Sequence, residues 1–229
     1  MAEASLPSLT ELYHNYTKAN GGRSGIAGIQ SLIVNCESLS DAPGVKPVSL
    51  KIYRKRPSKM RMIIDYGDSS VETITDGEQV WKRWESVGGE VRQEEVTGAD
   101  REDILRDVYI DGPFYRMDGR EDYLEVEAIE EINGEPAVRL KVLPDAPMRF
   151  DYIWLSLEHF QEVQLSRPKV SESGEEKSER MVFSHFTKTQ EVWFARKIEF
   201  YSGETLLRGV NVHQIRVNPG LFDSLFTLN

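Results

Sequence analysis

Cysteine is almost missing from this chain: Cys36 is the only one in 229 residues, which excludes an intramolecular disulfide. A chain of this length buries roughly 70% of the surface its unfolded form exposes, so it needs no such staple. One thiol does not discriminate between cytoplasm and periplasm, and burial as a small hydrophobe is the default for it. Long apolar runs are absent too. Nothing approaches the roughly 18 consecutive apolar residues of a membrane-crossing helix. Met1-Ala2-Glu3-Ala4 has neither a basic segment nor an apolar one, so no signal peptide is read there. Positive charge is scarce: 28 basic residues face 38 acidic ones, a net charge of -10. That argues against a nucleic-acid surface and against simple adsorption to anionic headgroups.

The groups an enzyme would activate are also thin on the ground. The histidines are His14, His159, His185 and His213, and none has the spacing of a zinc site. No nucleophile elbow, phosphate-binding loop or dinucleotide glycine pattern occurs. Glu94-Glu95 and Glu130-Glu131 would point to opposite faces of a strand, so neither pair shares a catalytic space. The reading is a protein without catalytic residues, metal or cofactor.

What the chain does have is alternation. Val48, Leu50 and Ile52 alternate with Ser49, Lys51 and Tyr53, and the parity carries Arg54 and Arg56 up to Pro57. It resumes in Met60, Met62, Ile64 and Tyr66, turns at Gly67-Asp68, and turns again at Asp76-Gly77 before Val80, Trp81 and Trp84. Upstream, Ser8 and Glu11 have capping-box spacing, and Leu9, Leu12, Tyr13 and Tyr16 share a helical face that ends at Asn20-Gly21-Gly22. Ile29 to Cys36 reads as the first strand. A second helix is expected over Arg101 to Val108, with Asp100 able to cap it.

Strands return from Tyr123. Asn133-Gly134 is the clearest hairpin turn, and Val138, Leu140 and Val142 answer on the return strand. Met148, Phe150, Tyr152 and Trp154 read as a second aromatic-methionine face, and the acidic run Ser171 to Glu179 as a solvated hairpin tip. Helices are too few for βαβ units, and nothing recurs at a fixed period. One domain, 1–229, with one twisted antiparallel sheet is the architecture that remains.

Lys55-Arg56-Pro57, a second strand, Asp76-Gly77 and Trp81 together resemble the central motif of the LolA-like family, the periplasmic carriers and sorting proteins of bacterial lipoproteins. The opening helix ending in Gly-Gly and the Asn218-Pro219-Gly220…Phe222 tail echo the same family, while Tyr152-Ile153-Trp154 lacks the acidic residue usual there. The resemblance implies a mainly β fold: a single bent antiparallel sheet forming an open half-barrel, with a few helices covering its concave side.

It also implies a function. The expectation is a non-enzymatic periplasmic carrier or sorting protein that binds lipoprotein or other acyl chains in an apolar cavity. Membrane-bound donor and acceptor proteins would be its partners, and its signal peptide would lie outside this sequence. An envelope sensor on the same fold is the alternative, and a cytoplasmic lipid-binding domain a third reading. Met60, Met62, Trp81, Phe150, Tyr152 and Trp154 are the candidates to line the cavity, against the reading of an ordinary dry core. Arg56 is the candidate at its mouth. The resemblance assigns the matching arginine to holding the helical cover closed; the plainer reading is a rim arginine with its head in water.

Overall fold

The structure is a computed structural model and describes residues 5–39, 45–148, 150–170 and 176–228. The helices are α1 (Leu9–Ala19), α2 (Gly22–Gly28) and α3 (Gly98–Asp107). The strands are β1 (Ser31–Leu39), β2 (Val48–Lys55), β3 (Lys59–Asp65), β4 (Ser69–Thr75), β5 (Val80–Ser86), β6 (Val91–Glu95), β7 (Leu124–Ile132) and β8 (Glu135–Val142). They continue with β9 (Tyr152–Ser156), β10 (Glu162–Val170), β11 (Glu176–Ser184), β12 (Thr187–Thr189), β13 (Val192–Phe194), β14 (Lys197–Ser202) and β15 (Thr205–Val217). Apart from the small β12-β13 hairpin, these strands form one open antiparallel sheet in the order β6-β5-β4-β3-β2-β1-β15-β14-β11-β10-β9-β8-β7. The chain divides into two compact units, Met1–Ile26 with Asp111–Leu207, and Ala27–Ile110 with Arg208–Asn229.

The first unit has a closed core. Ser8 caps α1 by accepting from the Glu11 N–H at 3.2 Å, as the sequence spacing predicts. Leu12, Tyr13 and Tyr16 then bury the apolar face of α1 in one cluster with Val138, Leu140, Ile153, Leu155 and Leu165. Those strand residues alternate with Arg139 and Lys141 on β8, Tyr152 and Trp154 on β9, and Gln164 and Ser166 on β10, so one side of the three strands becomes the core. Phe114 seals it: its ring is fully buried and stacks on Tyr13 with centroids 4.1 Å apart. The loop carrying Phe114 is pinned by Glu162, whose carboxylate accepts from the Phe114 N–H at 2.7 Å. A Cβ on Gly112 would collide with that carboxylate. Asn133 and Gly134 both take positive φ, 52° and 85°, which makes the tight β7-β8 turn the Asn-Gly pair predicts.

The second unit is built on the six-strand meander β1 to β6, closed on the other side of β1 by β15. At the β4-β5 turn Gly77 sits at φ 106°, where an added Cβ would be strained and would collide with the Ser58 hydroxyl. Asn218 ties the end of β15 to the start of β1. Its Oδ1 accepts from the Gln30 and Ser31 N–H groups at 2.7 and 3.2 Å, and its Nδ2 donates to the Gly28 carbonyl at 2.9 Å. The helix expected from Arg101 starts earlier, at Gly98, with Thr97 as N-cap, so Asp100 lies inside the first turn rather than capping it. Of the acidic run, Ser171 to Glu175 lies outside the described residues, and Glu176 to Glu179 belongs to β11.

Candidate functional site

Register decides which side chains of the meander share a face, because antiparallel partners point the same way and alternate residues point opposite ways. One row across the strands is Leu32, Arg54, Met60, Thr75 and Val80. The next is Val34, Ile52, Met62, Thr73 and Lys82, and the third is Cys36, Leu50, Ile64, Val71 and Trp84. Together they make a broad apolar face on the second unit. It is graded in depth. Leu32, Met60 and Val80 are buried, whereas Leu50, Ile52, Met62, Ile64, Val71 and Trp84 are all half-buried. The first unit closes Phe114, Val138, Leu140, Ile153 and Leu155 off completely, with half-buried residues packed around them. Here the apolar surface stays partly open.

Cys36 sits on this face, buried, and burial pushes its thiol up to about 11, which leaves it an inert apolar group rather than a nucleophile.

At the buried end stands Arg54. Burial pushes its guanidinium below the ordinary arginine value, with the Asp107 carboxylate opposing that shift. It donates to the Tyr109 carbonyl, two residues beyond the end of α3. The other end of α3 is held similarly: the Arg101 guanidinium donates to the Glu78 carbonyl at 3.1 and 2.5 Å. Between these ties α3 buries none of its residues. Ile104 and Leu105 are only half-buried. Val96 and Val108, just beyond its two ends, are buried, so α3 is anchored at both ends and packs little between them, which makes its middle an element of low local stability.

Arg56, in the β2-β3 turn, donates through Nε to the Ile29 carbonyl at 2.6 Å, and its backbone N–H bonds Gln30. These two bonds fasten the segment that follows α2. Arg54 reaches the segment just beyond α3. Its alternation with Ile52 and Met60 is visible in the sequence, but its partner Tyr109 is 55 residues away, and no local signal announces it.

Trp81 is not on the methionine face. It is level with Ile74, Arg61 and Tyr53, on the opposite side of the same strands. That side is closed by charge and by the C-terminal segment. Glu72, with its carboxylate nearly buried, bonds Arg61 at 2.7 Å and faces Arg83 at 3.6 Å. Lys55 donates to Leu221 and Asp223 at 2.8 and 2.7 Å, and Lys59 reaches Asp223 at 3.1 Å. These two ammonium groups hold the Asp223 carboxyl below its usual range. Between Arg61 and the segment Gly220 to Leu225 lies an open cavity of about 320 Å³.

The remaining candidates lie in the first unit, and they too divide. Phe150 is half-buried and packs on the closed core, as does Met148. Tyr152 and Trp154 turn the other way, level with Lys141 and Arg139, with their rings 5.6 Å apart. Trp154 donates Nε1 to Glu130 at 2.8 Å, and the Arg139 guanidinium lies over Tyr152 while pairing with Glu127 and Glu130. The regular strand begins only at Tyr152, so the parity read from Met148 onward does not carry through. The candidates the structure brings together on one open apolar face are Met60 and Met62.

No protein-family model matches the sequence, and no curated protein matches it. Solved structures do. A LolA-superfamily protein from Nitrosomonas europaea superposes with a TM-score of 0.60 at 12% identity, covering 98% of this chain and 99% of that one. A DUF1329 family protein from Desulfovibrio piger gives 0.60 at 12%, covering 96% and 97%. A putative outer membrane lipoprotein-sorting protein domain from Vibrio parahaemolyticus gives 0.58 at 10%, covering 94% of each. At such identities the likeness is one of fold: this chain has the LolA-like fold.

Proposed function

We propose that this chain is a non-enzymatic periplasmic carrier that takes up acyl chains of lipoproteins or of other lipids on the face of Leu50, Ile52, Met60, Met62, Ile64, Val71 and Trp84. The observation that carries the reading is the grading of that face. Its side chains are apolar and share one side of the strands, and beyond the buried Met60 the residues Leu50, Ile52, Met62, Ile64, Val71 and Trp84 remain half-buried. A methylene laid on such a surface leaves water with a gain of about 0.8 kcal/mol. About fifteen of them give roughly 12 kcal/mol, and an ordering cost of about 4 kcal/mol leaves roughly 8 kcal/mol, which corresponds to micromolar retention. That is firm enough for transfer and loose enough for release. Met60 and Met62 suit the task because a thioether chain repacks around ligands of different length.

The helix α3, tied by Arg101 and Arg54, supplies the movable cover. The helix buries none of its own residues, so moving it between the buried anchors Val96 and Val108 exposes little packed surface. A carrier of this kind exchanges cargo with membrane-bound donor and acceptor proteins, and the LolA-like fold of the lipoprotein-sorting structures supports that assignment.

A fluorescent fatty-acyl probe tests it. The wild-type protein is expected to bind the probe at micromolar concentration, and Met62→Glu, which puts a charge on the face, to weaken binding by about tenfold or more. Equal binding by both proteins, or none by the wild type, contradicts the proposal.

A further inference from the structure

Of the eight large apolar side chains that stand exposed among the described residues, four lie at one end of the second unit: Val45, Tyr66, Val87 and Val91, at 53, 51, 77 and 52% exposure. The topology explains their convergence. In an antiparallel meander alternate connections share an end, so Val45, just ahead of β2, lies at the same end of the strands as the β3-β4 and β5-β6 turns. With strands roughly 4.8 Å apart, neighbouring tips are about 10 Å from one another. The register makes the front even, since Ser49, Asp65, Ser70, Glu85 and Val91 are level across five strands.

Two of these tips are held rigidly. Tyr66 donates its N–H to Ser69 at 2.9 Å, and Gly67 takes φ 89° and donates to the Asp65 carboxylate at 2.7 Å. Around Val87, Ser86 donates to Glu90 at 3.1 Å and Gly89, at φ 78°, donates to Ser86 at 2.9 Å. Turn chemistry asks for glycine, asparagine, aspartate or serine at such places and gains nothing from valine or tyrosine. The apolar groups are presented outward on preformed turns. Arg83 pairs with Glu85 at 2.9 Å and Arg92 with Glu94 at 2.6 Å, which leaves the exposed carboxylates of Asp65, Asp68 and Glu90 around these apolar groups against Lys46.

We infer that this front of hairpin tips is a docking surface for a partner protein that offers apolar sockets rimmed by lysine and arginine. Charge selects that occupant. An anionic bilayer would be repelled by the carboxylates, and a second copy would oppose them with its own. The Leu50-Ile64-Val71-Trp84 row is next to this front in register, so a partner seated there stands beside the half-open end of the apolar face. The docking inference rests on exposure and charge and does not require that the face bind lipid.

The test uses three synthetic peptides of alternating residues, leucine-lysine, serine-lysine and leucine-glutamate, titrated into the whole protein. The leucine-lysine peptide is expected to bind about tenfold more tightly than either other peptide. Its amide shift changes should concentrate at residues 45–48, 65–69 and 85–91. Val87→Ser, a surface change that leaves the melting temperature unaltered, should lower that affinity severalfold, and so should the charge reversal Glu90→Lys. Acyl-probe uptake should be unaffected by Val87→Ser, which separates this inference from the carrier reading. Equal binding of the serine-lysine peptide, shift changes elsewhere, or indifference to both substitutions overturns it. So does Val87-dependent self-association, or partition into phosphatidylcholine vesicles, without leucine-lysine binding.

Discussion

An arginine withdrawn from water must be satisfied where it sits, and Arg54 is satisfied by the Tyr109 carbonyl with Asp107 nearby. Arg54→Ala leaves that carbonyl without its donor and is expected to cost about 1–3 kcal/mol in urea denaturation. Because Arg54 also fastens the α3 segment, the variant should release an acyl probe faster, and Arg54→Lys should recover part of both effects. Unchanged stability and unchanged release would remove Arg54 from the account. Glu162 makes a second residue-scale case. Burial raises its carboxyl from 4.5 to about 7, against the lowering effect of the Phe114 N–H. Between those values the native state keeps a proton that the unfolded chain has released. Its contribution is therefore full below pH 4.5 and lost as pH rises through 7, roughly 3 kcal/mol at most. Glu162→Gln should flatten that slope in denaturation curves taken from pH 4.5 to 7.5; an unchanged slope would contradict it. Neither residue's role was legible in the sequence. Alternation put Arg54 and Arg56 on one parity, but which one meets which carbonyl depends on contacts many residues away.

Among elements, α3 and α1 contrast most. Helix α1 buries Leu12, Tyr13 and Tyr16, while α3 buries none of its residues. Hydrogen exchange is expected to find the amides of α3 opening locally, orders of magnitude faster than those of α1. Equal protection in the two helices would contradict the movable-cover role. The sequence foretold α1 in detail because a capping box and a four-residue apolar stripe are local signals. It foretold the strands from Val48 to Trp84 because a period of two survives any tertiary arrangement. It did not foretell which face Trp81 takes. Adjacent Val80 and Trp81 point oppositely, and only the pairing with Ile74 shows that Trp81 leaves the methionine side. Phe150 failed to join Tyr152 and Trp154 for a related reason. Alternation binds residues to one face only while the backbone stays extended, and β9 starts after Phe150.

For the whole molecule, two kinds of apolar surface coexist. The first unit closes its core around Phe114, and the second keeps a graded apolar face beside a loosely held helix. The LolA-like fold was readable from the order of Lys55-Arg56-Pro57, Asp76-Gly77 and Trp81, since turns and strand ends fix a meander. The division of labour between the units was not, because methionines and aromatics look alike in sequence whether they line an open face or fill a core. The measurement that tests the account most directly is site mapping with a photo-crosslinkable fatty acid, analysed by mass spectrometry of peptides. Label is expected on Met60, Met62, Ile64 or Trp84 and on α3. Label confined to the cavity at Gly220 to Leu225, or no specific label at all, would contradict it.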